Sequence, residues 1–134
     1  MGVKVKVENW KQNLIDYLTE MSQRQMSFGA WDCAIFAGGA AGAQMGIDYV
    51  GEWVGTYSDM TTGIEALNRK GYFDHIDLVR QTFDEVPVAF AQEGDIAVVG
   101  DALGVVQGAA VYVLRPEGIG LVPLLAARTA FRVE

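Results

Sequence analysis

Cys33 is the one cysteine of the chain and His75 its one histidine, so any cysteine-based chemistry rests on two positions. Cys33 lies in the run Gly29-Ala30-Trp31-Asp32-Cys33-Ala34-Ile35-Phe36-Ala37. An Asp ahead of Cys, Ala, Ile, Phe and Ala reads as the N-cap of a helix, because its carboxylate can accept from the unpaired N–H groups of the first turn. Asp32 is the predicted cap. A cysteine in that turn meets the positive end of the helix dipole, which favours thiolate over thiol and makes Cys33 a nucleophile candidate. The alternative for the same residue is packing, since free cysteine is among the most buried side chains. His75 stands in Phe73-Asp74-His75-Ile76-Asp77. It is a candidate base if its helix packs beside that of Cys33, with Asp74 or Asp77 orienting the ring. Otherwise it is a surface or half-buried histidine between two carboxylates. One Cys and one His, far apart in sequence, lack the paired ligand spacing of a zinc site, and neither a metal nor another cofactor is expected.

The elements that must hold these residues follow from hydrophobic periodicity. Residues 8–25 predict a helix whose Trp10, Leu14, Tyr17, Leu18 and Met21 form one apolar stripe. Residues 32–45 predict a second helix, with Gly46 placed to end it. Its interior, Gly38-Gly39-Ala40-Ala41-Gly42-Ala43, has poor helix propensity. Such small residues let another element approach the backbone, which points to a central, buried helix. The run lacks the glycine spacing and preceding strand of a phosphate-binding loop. Residues 47–60 carry Tyr49, Trp53 and Tyr57 with Gly51 and Gly55 between them. This loop is read as packing on the core, with the wall of a substrate groove as the alternative. Residues 61–70 predict a short helix ended by Gly71, and residues 74–83 a further helical turn or two. Residues 95–99, 103–107, 109–114, 119–122 and 129–133 are then short runs rich in Val, Ile and Tyr, divided by turn signals. Strands so closely spaced pair antiparallel, because a parallel crossover needs about a dozen residues or more. The Val/Lys alternation of residues 1–7 predicts an additional edge strand. The fold class is therefore α+β: N-terminal helices followed by a five- to six-stranded antiparallel sheet, in one domain over residues 1–134.

Composition narrows the function. A chain of 134 residues with 51% hydrophobic content buries a genuine core. Its most apolar stretch, residues 33–42, is too short and too rich in glycine to span a bilayer, so no membrane insertion is expected. The N-terminus has no apolar signal core, and Lys6 stands where a myristoylation signal wants Ser or Thr. No export signal is visible, and a single cysteine cannot form an internal disulfide. The balance of 10 basic against 17 acidic residues, a net charge of −7, repels phosphate backbones and argues against nucleic acid as a partner. Between residues 74 and 101, Asp74, Asp77, Asp84, Glu85, Glu93, Asp95 and Asp101 face only Arg80. That cluster reads as a solvated acidic face, or as a docking surface for a basic partner.

The order of a helix, Asp-Cys at the start of a central helix, and Glu93-Gly94-Asp95-Ile96 opening an antiparallel sheet resembles the NlpC-type branch of the papain-like cysteine peptidases. Those enzymes open the nucleophile helix with Asp-Cys and their sheet with a Pro-Gly-Asp-Leu-like step. The chain is more closely similar to a small phage and prophage domain family related to that branch. The pattern of that family, roughly Trp-Gly-x-x-Asp-Cys-Ala-x-Phe-Ala, is met by residues 28–37, with Phe28 in the Trp place. Gly46-Ile47-Asp48, Gly71-Tyr72-Phe73-Asp74-His75 and the closing residues 126–133 fit it as well, so the resemblance covers nearly the whole chain.

The resemblance implies a papain-like (NlpC-type) fold, with one departure. The peptidases carry their catalytic histidine in a His-Val-Gly-Ile-like segment after the Gly-Asp-Leu step. Here that segment corresponds to Ala102-Leu103-Gly104-Val105, with alanine in the histidine place. A cysteine without a base loses the activator of its thiolate and the acid for its leaving group, help worth about 10²–10⁴-fold in rate. The resemblance then implies a non-catalytic phage virion protein of the tail, tail tip or neck. Such a protein assembles with other tail or neck proteins or with itself, and resides in the virion or, before assembly, in the host cytoplasm. The alternative is a phage-borne cysteine hydrolase that cuts peptidoglycan cross-peptides. There Cys33 is the nucleophile, His75 or another residue the base, and backbone N–H groups near Cys33 stabilise the oxyanion.

Overall fold

The computed structural model describes residues 5–134. Four helices come first: α1 (Trp10–Met21), α2 (Cys33–Met45), α3 (Met60–Arg69) and α4 (His75–Thr82). Six strands follow: β1 (Asp84–Val86), β2 (Ile96–Val99), β3 (Ala102–Gln107), β4 (Ala110–Arg115), β5 (Gly118–Pro123) and β6 (Thr129–Arg132). All pairings are antiparallel, in the order β1-β6-β2-β3-β4-β5. Strands β2 to β5 form the meander that short turns enforce, and β6 returns to the far side of β2. Helices before an antiparallel sheet is the α+β class that the pattern predicts. The sixth strand, however, is not the N-terminal alternation. Residues 1–4 lie outside the described residues, and residues 5–7 carry no strand. The sixth strand is β1, which pairs Asp84 with Arg132 and Val86 with Ala130. Short and acidic, it carries no period-two hydrophobic signal.

Helix α2 sits between α1, α4 and the sheet because its small residues leave room on several sides. Ala37, Ala41 and Met45 pack on Ile76 and Val79 of α4 and on Val98 of β2. Phe36 and Ala40 pack on Leu14 and Leu18 of α1 and on Val105 of β3. A Cβ at Gly39 would run into the Tyr17 hydroxyl, which instead donates to Phe36 O at 2.9 Å. A Cβ at Gly38 would run into Val50. The close approach expected of the glycine-rich run is thus realised. The α1 stripe also holds: Leu14 and Leu18 are buried, and Trp10, Tyr17 and Met21 flank them.

The acidic stretch is not a uniform solvated face. Asp95 is fully buried and accepts from Gln92 N at 2.7 Å, Val133 N at 3.2 Å and Arg132 Nε at 3.0 Å. Asp74 caps α4 by accepting from Asp77 N at 2.7 Å, and Asp77 accepts from Phe73 N at 2.9 Å. These carboxylates hold turns and strand ends together. Among the described residues, no helix is long and apolar enough to cross a membrane.

Candidate functional site

Asp32 caps α2 as its position predicts. Its backbone is extended, and Oδ1 accepts from Ile35 N at 3.0 Å. The other oxygen accepts from Gly29 N at 3.1 Å and from the Tyr57 hydroxyl. One buried carboxylate therefore ties together the start of α2, the turn before it and the aromatic loop. Gly29 completes the tie: its carbonyl accepts from Gly55 N at 2.8 Å. Its φ is +82°, and the Tyr57 carbonyl fills the place a Cβ would take. The glycine of the sequence motif is thus required by backbone geometry.

Beside this knot lies a cavity of about 610 Å³, and the three predicted site residues Asp32, Cys33 and His75 all line it. Its walls are largely apolar, with Tyr49 and Trp53 from the loop, Leu67 from α3, Val79 from α4 and Leu103 from β3. The aromatic loop packs on the core, as read from the sequence, and in doing so it also lines the cavity. Trp53 packs on Ala66 and Leu67 of α3, and also walls the cavity.

Cys33 is the first residue of α2 and half-buried. Burial pushes its thiol pKa up, hydrogen bonding from the Leu103 backbone pulls it part of the way back, and the Asp32 carboxylate pushes it up again. The helix dipole was expected to favour the thiolate; desolvation and a neighbouring negative charge outweigh it. A group held as the neutral thiol is a weak nucleophile.

His75 is the first residue of α4, half-buried rather than free on the surface. Its Nε2 lies 2.6 Å from the carbonyl oxygen of Asp101, in the β2–β3 turn. A carbonyl only accepts, so Nε2 carries the proton in this contact and Nδ1 is the acceptor nitrogen of the neutral ring. Among the described residues no hydrogen bond joins the imidazole to Cys33, and His75 is not among the groups that set the thiol pKa. Ala102, in the place where the resemblance puts a histidine, also lines the cavity, and its methyl group supplies no base. The cavity thus brings cysteine and histidine to one space without coupling them. Among the described residues, no group of three or more His, Cys, Asp or Glu side chains is placed to hold a metal ion.

Two features of the site carry no signal in the sequence. The Tyr57 hydroxyl on Asp32 spans 25 positions, and nothing local marks it. Nor does the local sequence reveal that exposed Asp48, Glu52, Asp59 and Asp101 gather on the cavity rim.

Residues 5–133 match the family model described as a domain of unknown function (DUF6950). No curated protein and no solved structure matches the chain.

Proposed function

The chain belongs to the DUF6950 family, and we propose that it works without catalysis, as a binding component of a phage tail, tail tip or neck built on a degenerate NlpC-like fold. The observation that carries this reading is the state of Cys33. Burial raises its thiol pKa against the pull of the Leu103 backbone, Asp32 adds to the rise, and among the described residues no base is hydrogen-bonded to it. A peptidase needs the opposite arrangement, a thiol whose proton is drawn off by a bonded imidazole. A cavity that persists beside an unactivated cysteine suits recognition rather than turnover. The phage assignment is supported by the motif resemblance of residues 28–37, 46–48, 71–75 and 126–133.

The test pairs two measurements. In density-purified particles from an induced lysogen carrying this chain, the protein is expected at a fixed ratio to the major tail protein. Incubated with purified peptidoglycan, it is expected to release no new peptide fragments. Fragments released by the wild type but not by Cys33→Ala would overturn the reading, as would absence of the chain from particles.

One observation favours a second reading: Cys33 and His75 line the same cavity. In a cysteine hydrolase of peptidoglycan cross-peptides, His75 Nδ1 would take the thiol proton as sulfur attacks the amide carbonyl. It would then pass that proton to the departing amine, and water would release the acyl group. The Nε2–Asp101 contact leaves Nδ1 free for that proton, and the chemistry requires a hydrogen bond between Nδ1 and the thiol that the described residues do not make.

A further inference from the structure

We propose that the cavity is the docking groove for a short segment of a partner protein that presents one or two large apolar side chains beside Lys or Arg. The volume of about 610 Å³ is that of a site built to enclose a ligand, and its depth is apolar. The apolar surface does not stop at the mouth. Phe28 is 39% and Met60 52% exposed, and both are among the lining residues. A small ligand sunk in the cavity would leave the outer faces of these two side chains in water, whereas a peptide segment crossing the mouth covers them as well.

The charge of the rim selects the partner's sign. Glu52 is paired with Lys70 at 2.9 Å, but among the described residues Asp48, Asp59 and Asp101 have no cation within ion-pair distance. His75 is the one basic side chain among the lining residues. An apolar segment flanked by Asp or Glu, or a fatty carboxylate, would meet these carboxylates with like charge. One flanked by Lys or Arg is drawn to them, and oriented by them. The proposal rests on the non-catalytic reading in one respect only, that the bound segment is left intact.

The experiment presents three octapeptide libraries to the immobilised full chain. The first has Leu, Phe or Trp at two central positions and Lys or Arg around them. The second keeps the centre and carries Asp or Glu around it. The third keeps the basic flanks and carries Ser or Gln in the centre. The first library is expected to be retained at least ~10-fold more than either control, and retention should fall as salt rises. It should also fall at least ~10-fold in Met60→Glu and in Asp101→Lys. Both residues are exposed, so both variants keep the core intact. Equal retention of the basic and acidic libraries, no retention of any, or indifference to both substitutions would overturn the docking groove. The masses of eluted peptides separate the two readings. Peptides that leave whole support both. Peptides cut by the wild type but whole from Cys33→Ala keep the groove and remove the non-catalytic reading.

Discussion

At its C-terminal end α2 is closed against the sheet by packing, with an open cleft of about 320 Å³ along Gly42 and Gly46, whereas its N-terminal end stands over a cavity of about 610 Å³. The two ends use the same devices. At the closed end Gln44 is fully buried, and its Nε2 donates to Ala40 O at 3.1 Å and Gly94 O at 2.9 Å. Gly94 has φ +89°, and the Gln44 amide fills the place of its Cβ. At the open end Asp32 plays the part of Gln44, and Gly29 that of Gly94. The difference lies in what each buried polar group is tied to. Gln44 meets the step that opens β2, and next to it Asp95 locks β2 to the strand end at Val133 and to Arg132. Asp32 meets two loops, and loops arch where strands pack. The cavity of about 610 Å³ thus opens at the end of the helix that is tied to loops, and the end tied to the sheet is left with a smaller, more open cleft of about 320 Å³.

That comparison is broken most severely at the closed end. Asp95→Ala removes the acceptor of Arg132 and of two backbone N–H groups from a fully buried position. The expected loss is about 3–5 kcal/mol of unfolding free energy, read from urea denaturation. A loss under about 1 kcal/mol would mean that the closed end is held by packing alone.

At the open end Gly29→Ala is expected to follow. Its positive φ alone costs about 1–3 kcal/mol, and the collision with the Tyr57 carbonyl adds to that. The aromatic loop should lift away, raising solvent exchange of the Gly55 amide while that of the Val133 amide stays slow. Equal exchange at both amides would contradict the separation of the two ends.

Tyr57→Phe is the milder form of the same test. It removes one hydrogen bond to a carboxylate and leaves the ring in place, so about 1.5–3 kcal/mol should be lost. Full stability in the variant would show that Asp32 needs only its backbone partners.

The smallest effect is that of Asp59, on the cavity rim. Hydrogen bonds from the Thr62 backbone, and then from its hydroxyl, hold this carboxyl below its ordinary value. With the folded pKa depressed, the stabilisation is complete above the ordinary carboxylate value and is lost as pH falls through the folded one. Asp59→Asn should therefore flatten the acid limb of the stability curve, by a margin kept small by full exposure to solvent. Identical acid limbs for variant and wild type would leave the α3 cap without energetic weight.

What could be read in the sequence was what is local. The Asp32 cap and the Gly46 end of α2 follow from rules that act within a turn, and the structure carries both. The small-residue run announced close approach because the absence of side chains is itself a local fact. Asp95 was hidden among acidic neighbours, since its partner Arg132 is 37 positions away and arrives only through the pairing of β6 with β2. Strand β1 was hidden because three residues, two of them acidic, show no alternation. At Cys33 the choice between an activated and a packed thiol was left open for the same reason. The cap and the dipole are local, but the burial that outweighs them comes from residues of other elements packed around Cys33. Likewise, nothing near His75 foretold that its ring would bond to Asp101 O.

The measurement that bears most directly on the central claim is the rate of Cys33 alkylation by iodoacetamide as a function of pH, read by mass spectrometry of the folded chain. An unactivated thiol predicts an inflection above the ordinary cysteine value, no rapid reaction below pH of about 7, and a profile unchanged in His75→Ala. Rapid alkylation under mildly acidic conditions that is lost in His75→Ala would show a coupled pair, and would contradict the account.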